Sequence, residues 1–185
     1  LKEGVTATCE TDFDAFWNLF SETNSRSSLL QRQRRYYEAM FRECRKYGGQ
    51  AEIITARQNG VPLATGLVIG LGDELCYLYG GSTRPEKIEG VKDPKASNGF
   101  YWAMLNYAHD HGYKRLDLFG IPRVISSDKH SFGVYEFKMR LGGQMAYFPA
   151  YEMALSPLSG LVNKALRLRK NRQNLAARGT AQDVL

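Results

Sequence analysis

Three sets of residues in this chain have the types and spacing to do chemistry. Phe137 and Lys138 put an aromatic ring beside a primary amine. A lysine amine can neutralise a phosphate or the oxyanion of a tetrahedral intermediate. A phenylalanine ring can stack on a nucleic-acid base for about 1–3 kcal/mol. The plain alternative is a solvated lysine next to a core phenylalanine. Arg32 and Tyr36 are four apart, which on a helix places both on one face. A guanidinium fork with a phenol suits a diphosphate and a sugar, and a solvated arginine beside a half-buried tyrosine is the alternative. Tyr77 and Tyr79 are two apart in a β-rich run, so a regular strand points both phenols to one face. There they line a peptide groove or pack as ordinary strand residues.

Other combinations carry less. His109 and His111 diverge by about 200° on a helix and do not chelate. Cys9, Cys44 and Cys76 are widely spaced with no CxxC, which argues against a disulfide framework or a zinc site and for a reducing compartment. No Ser-His-Asp set or carboxylate pair stands out. Glu136 and Asp117 are candidate bases without a motif behind either.

The elements that must position these residues follow from periodicity. Phe13, Phe16, Trp17 and Phe20 have helical spacing, with Thr11 as the expected N-cap. A second helix is predicted from about Gln31 to Tyr47, stopped by Gly48-Gly49. Ala51–Arg57 and Val61–Gly70 read as strands joined through Asn59-Gly60, a strong hairpin signal. Glu74–Gly80 is a third strand. A loop covers 82–97, then a helix capped by Asn98 runs to about His111. Lys114–Gly120 reads as a buried strand, Ser131–Leu141 as a short helix, 144–155 as a strand and 157–173 as a basic helix.

The chain has 185 residues, 43% apolar and 24% charged, with a net charge of +6. That balance is globular rather than disordered. No apolar run approaches the roughly 18 residues of a membrane-spanning helix. The chain begins at Leu1 rather than Met, which suggests a piece of a larger protein. The positive charge is concentrated. Residues 153–185 hold Lys164, Arg167, Arg169, Lys170, Arg172 and Arg178 against Asp183 alone, and 26–46 form a second basic block. Such runs are solvated helix faces or sites for RNA, phosphate or an acidic membrane surface.

The resulting order, α-α-β-β-β-α-β-α-β-α, defines a mixed α/β (α+β) class with a mostly antiparallel sheet flanked by helices. It is similar to the GNAT acyltransferase architecture, in which the sheet splays where the third of these strands meets the one after the crossover. An acyl-CoA enzyme of that type needs a glycine-rich diphosphate cradle at the next helix. Ser82–Asn98 has two prolines and one glycine, Gly90, and is a poor cradle.

Within that architecture the chain resembles the second domain of the Fem peptidoglycan aminoacyltransferases. Three stretches carry the resemblance. Arg32-Gln-Arg-Arg-Tyr36-Tyr37 matches Arg-x-x-x-Tyr-(Tyr/Phe), and Tyr77-Leu-Tyr79-Gly80-Gly81-Ser82 matches Tyr-x-Tyr-Gly-x-Ser. The most specific, Gly133-Val-Tyr135-Glu-Phe137-Lys138-x-x-Leu141-Gly142-Gly143, matches Gly-Leu-Tyr-x-Phe-Lys-x-x-Phe-Gly-Gly, with Leu141 in place of the commoner Phe. The resemblance implies residues 1–155 as a GNAT-like domain whose first partner domain lies upstream, and 156–185 as a basic helix and tail.

It also implies transfer of Gly, Ala or Ser from aminoacyl-tRNA to the stem-peptide amine of a UDP-linked or lipid-linked muropeptide. Lys138 and Phe137 fall beside the tRNA acceptor end, and Arg32, Tyr36, Tyr77 and Tyr79 on the muropeptide. No cofactor is expected beyond aminoacyl-tRNA as co-substrate. The expected location is cytoplasmic, with peripheral contact at the inner membrane face. An acyl-CoA acyltransferase and a non-catalytic RNA-binding module are the rival readings.

Overall fold

The computed structural model describes residues 4–27, 31–84, 95–121, 125–128, 132–149, 151 and 153–179. They divide into two compact units, Leu1–Phe119 and Gly120–Leu185.

The first unit is a five-stranded sheet with helices on both faces. In chain order it comprises β1 (Val5–Glu10), α1 (Phe13–Arg26), α2 (Arg34–Lys46), β2 (Gln50–Gln58), β3 (Val61–Leu71), β4 (Glu74–Ser82), α3 (Ala96–Asp110) and β5 (Arg115–Asp117). The spatial order is β1-β2-β3-β4-β5, antiparallel throughout except for the parallel β4–β5 pair. The β2–β3 turn has φ of 51° at Asn59 and 80° at Gly60. Two left-handed residues in succession are what a tight hairpin turn requires, and Asn-Gly supplies them.

Helix α3 covers one face of the sheet. Phe100, Met104, Tyr107 and Ala108 pack there with Ile54, Ala56, Ala64, Val68 and Leu75. Helices α1 and α2 cover the other, where Phe16, Phe20 and Tyr37 meet Ile53 and Leu67. With both faces buried, Leu63–Val68 reads as a continuous rather than alternating run.

The second unit holds α4 (Phe132–Arg140) and α5 (Pro157–Arg178). Helix α5 opens with a capping box, in which the Ser156 hydroxyl accepts from the Ser159 N–H and the Ser159 hydroxyl from the Ser156 N–H. It closes at Gly179 with φ 70°.

The mixed α/β class holds, but the order of elements differs from the sequence reading at both ends. The chain starts with a strand, β1, paired along its length to β2. Its apolar residues are few, so the alternation is faint. At the other end, no strand forms among the described residues of 144–155. Met145, Tyr147, Phe148, Tyr151, Met153 and Leu155 are all exposed there. Alternating side chains make a strand only when a neighbouring strand takes the backbone bonds, and Pro149 removes one donor outright.

Smaller differences have local causes. Asp12, not Thr11, caps α1, its carboxylate accepting the Ala15 N–H at 2.9 Å. Helix α2 starts at Arg34 rather than Gln31, because the Arg32 N–H donates to the Tyr37 hydroxyl at 3.1 Å. Helix α3 starts at Ala96, after a left-handed Lys95, rather than at Asn98. Strand β5 is three residues instead of seven. The Asp117 carboxylate takes the Phe119 N–H at 2.7 Å, a side-chain turn that diverts the chain, and Phe119 follows at φ 64°.

Candidate functional site

The site is built where β4 meets α1 and the segment leading into α2. Strand β4 pairs with β5 only over Glu74–Cys76. From Tyr77 to Ser82 it has no strand neighbour on that side among the described residues. This is the splay the topology predicts.

The far end of this open stretch is fastened to α1. The Ser82 N–H donates to the Thr23 hydroxyl at 2.9 Å, and the Ser82 carbonyl accepts from Thr23 at 3.1 Å and from Arg26 at 3.0 Å. Gly81 lets the two backbones touch, since a Cβ there would collide with the Leu19 carbonyl. The sequence does not single out Thr23, and it marks Arg26 only as the first residue of a basic block, since nothing local points to a partner more than fifty residues away.

Tyr77 and Tyr79 do not share a face. Tyr79 pairs with Leu67 while Tyr77 pairs with Val68, so Leu78 is an extra residue in β4. A bulge of this kind shifts the alternation by one. Tyr77 therefore packs on Phe100 and Tyr101 in the α3 layer, at centroid distances of 5.5 Å to each. Tyr79 packs on Phe20 and Tyr37 in the opposite layer, at 5.7 and 4.9 Å. The shared peptide groove expected of this pair is corrected by the bulge.

Tyr79 joins Arg32 and Tyr36 instead. The Arg32 guanidinium lies over the Tyr36 ring, 4.7 Å from its centroid. Burial raises the Tyr79 phenol above its ordinary pKa, the neighbouring Tyr36 and Tyr37 add to this, and so does the hydrogen bond Tyr79 makes to Tyr36. Arg32 acts in the opposite sense, by favouring the phenolate. Tyr37, 3% exposed, anchors the group, since its ring braces Tyr79 and its hydroxyl accepts the Arg32 N–H. Arg32 and Tyr36 are thus brought together by a turn at the mouth of α2, with Tyr36 N–H donating to the Gln33 carbonyl at 2.9 Å, and not by one helix face.

Most of the basic block around α2 is engaged within the protein. Arg34 pairs with Asp14 and Glu38, both at 2.6 Å, and Arg45 pairs with Glu52 at 2.6 Å. Arg26 pairs with Glu22 at 3.3 Å. Arg32 and Arg35 are different: both are exposed and, among the described residues, have no carboxylate partner, and of the two it is Arg32 that lies over the Tyr36 ring. A fork of N–H donors presented beside a phenol can receive a phosphate or carboxylate.

Phe137 and Lys138 belong to the second unit, on α4. Lys138 is only 9% exposed, and its amine donates to the Gly120 carbonyl at 2.5 Å. The reading of a solvated lysine is thereby excluded. A charged amine held this far from water is costly unless its donors are satisfied, so its position is set by the protein rather than by solvent. Phe137 is half-buried. Of the two candidate bases, Glu136 bonds to Arg140 at 2.8 Å and Asp117 holds the Phe119 N–H. His109 is exposed beside Asp110, and His111 stacks on Tyr107 at 3.9 Å, so the two do not converge. No group of metal-ligating side chains forms among the described residues. Residues 85–94, most of the loop weighed as a diphosphate cradle, lie outside the described residues.

An open strand end beside a mixed sheet, with helices on both faces, is the fold of the GNAT-type acyltransferases. A ribosomal-protein-alanine N-acetyltransferase from Brucella melitensis biovar Abortus superimposes with a TM-score of 0.54 at 14% identity, over 82% of this chain and 99% of that one. FemX superimposes more closely, with a TM-score of 0.64 at 17% identity, over 74% of this chain and 50% of that one.

The FemAB family model matches residues 42–158, and the chain belongs to that family. It is similar to the aminoacyltransferase FemB of Staphylococcus epidermidis, with 34% identity over 76 residues, which are 41% of this chain and 17% of that protein. With FemA of the same species the identity is 35% over 81 residues, 43% and 18% of the two chains. The chain therefore matches less than a fifth of the length of these curated relatives.

Proposed function

We propose that this chain is the acyl-transfer domain of a Fem-type enzyme that moves glycine, alanine or serine from aminoacyl-tRNA onto the side-chain amine of a peptidoglycan stem peptide. The observation that carries this reading is the FemAB match across residues 42–158, which takes in the open stretch of β4 and the Phe-Lys helix α4.

The reaction is attack of an amine on an ester carbonyl. The amine must lose a proton, the carbonyl oxygen becomes an oxyanion, and the tRNA ribose hydroxyl leaves with a proton. Free lysine amines have a pKa near ~10.4, so the acceptor must be bound in its neutral form. In this reading Arg32 and Tyr36 grip the phosphates and sugar of the acceptor, and Tyr79 holds Tyr36 in place from below. Lys138 supplies positive charge to the tRNA end or to the oxyanion, and Phe137 offers a face to a terminal base. Positioning two large polyanions supplies much of the rate.

The test is an aminoacyl-transfer assay with labelled Gly-, Ala- or Ser-tRNA and a lysine-containing UDP-muropeptide. Both this chain and the longer protein it matches in its relatives are to be assayed, with acetyl-CoA as a parallel donor. Label reaching the muropeptide, reduced about 100- to 1,000-fold by Lys138→Ala, is the expected result. Transfer from acetyl-CoA with none from any aminoacyl-tRNA would overturn the reading.

A further inference from the structure

Helix α5 has two unlike surfaces, and neither is covered in the second unit. On helical spacing Leu158, Leu161, Val162, Ala165, Leu166 and Leu168 fall within one side of its first three turns. Leu158 is 71% exposed, Leu161 66% and Leu166 56%. Met153 and Leu155, just before the capping Ser156, are exposed as well. Lys164 and Arg167 face away from this stripe, and Arg169, Lys170 and Arg172 follow it, all exposed. The helix has no acidic residue.

The geometry points to an anionic lipid bilayer as the surface on which α5 lies. Three occupants compete for an apolar helix face, and charge separates them. A second copy of α5 would bring two cationic helices, neither with an acidic residue of its own, side by side, which like-charge repulsion opposes. An RNA backbone would satisfy the cations but gives no reason for a row of exposed leucines. An acidic membrane answers both: the leucines enter the boundary between headgroups and acyl chains, and the arginines and lysines meet the lipid phosphates. The change from leucine to arginine along the stripe suits this, since Arg169 and Arg172 can run their stems along the apolar surface and lift their charge to the headgroups. No helix among the described residues is long and apolar enough to cross a membrane, so α5 lies in the interface and does not span it.

This inference does not depend on the transfer reaction. Its test is flotation of the 185-residue chain with vesicles of phosphatidylglycerol, and in parallel with vesicles of phosphatidylcholine. Binding to the first and not the second, weakened by added salt, is the expected result. Two variants dissect it. Leu158→Gln with Leu161→Gln and Val162→Gln removes the apolar face while keeping good helix formers. Lys164→Gln with Lys170→Gln and Arg172→Gln removes three cations, each of which multiplies partitioning about fivefold near such a surface. Each triple should reduce binding about a hundredfold at unchanged helix content by circular dichroism.

Vesicle binding that survives the apolar triple would overturn the inference, since adsorption would then be by charge alone. So would absence of flotation together with binding to uncharged tRNA that only the cationic triple abolishes. Transfer to a water-soluble muropeptide should be indifferent to both triples, so failure here and failure of the proposed reaction are separate results.

Discussion

The two faces of the sheet use aromatic residues in opposite ways. Under α3, Phe100 and Met104 are almost completely buried, and Tyr77 turns its hydroxyl toward Tyr101 in the same layer. Both phenols are raised by burial, and the hydrogen bond between them raises Tyr77 and lowers Tyr101, as expected when Tyr77 is the donor. Under α1 and α2 the rings form a path instead. It leads from Phe16 and Phe20 through Tyr37 and Tyr79 to Tyr36, which is 41% exposed, and ends at the Arg32 guanidinium. One face closes on itself and the other delivers a positive charge to the surface. One bulged residue in β4 assigns a tyrosine to each. Residue type alone therefore does not separate a tyrosine of the closed layer from one that leads to the surface; its place relative to the bulge does.

The contrast is open to direct attack. Phe100→Ala should cost about 3–5 kcal/mol in urea unfolding, because it empties the centre of the closed face. Transfer per folded molecule should be little changed. Arg32→Ala should do the reverse. Its stability should stay within about 0.5 kcal/mol of the parent, while acceptor binding weakens by about 1.5–3 kcal/mol, the worth of a charged hydrogen bond. Acceptor KM in the transfer assay reads this directly. Equal losses of stability from both substitutions would erase the distinction between the faces.

Tyr79→Phe and Tyr77→Phe make a finer pair. Each removes one hydroxyl and about 1 kcal/mol of hydrogen bonding. The first should also raise acceptor KM, because Tyr36 loses a partner, and the second should change stability alone. The smallest effect is at Asp12. The Ala15 N–H holds its carboxyl below the ordinary value; burial, the next largest influence, pushes it up, and the Arg57 guanidinium draws it down again, leaving it lowered on balance. A depressed carboxyl adds stability that is complete above the unfolded value near ~3.9 and is lost as pH falls through the lower folded value. Asp12→Asn keeps a capping oxygen but no charge. Its deficit, about 1 kcal/mol or less, should therefore be present at pH 6 and vanish towards pH 2 in urea titrations.

Much of the architecture was legible because it rests on local signals. The Asn59-Gly60 hairpin, the α1 stripe and the glycine stops after α2 and α3 are set by neighbours in sequence. The larger failures are matters of pairing between distant segments, whereas the small shifts of caps and element ends are local. β1 is a strand because β2 lies beside it, 144–155 is not one among the described residues because nothing pairs with it, and the β4 bulge shows only in the register against β3. The same division runs through the candidate site. Arg32, Tyr36 and Tyr79 could be named from motifs, whereas Tyr37 as their anchor and Thr23 and Arg26 as the clasp on Ser82 required three-dimensional neighbours. Lys138 was named from its motif as the candidate beside the tRNA acceptor end, and the burial that separates it from the many lysines that merely face solvent is visible only in the structure.

The first strand has a practical consequence. β1 is held to β2 by a six-residue ladder and by Arg57, which reaches Glu10 at 2.9 Å and Asp12 at 2.8 Å. It stands between solvent and the Ile53-Ile54 stretch of β2. A shortened form that begins after Glu10 would turn β2 into the edge of the sheet, with a free row of backbone donors and acceptors along an isoleucine-rich strand. Edges of that kind recruit one another. For anyone trimming this protein for crystals or for a binding assay, the first few residues act as a cover against aggregation, and they have to stay.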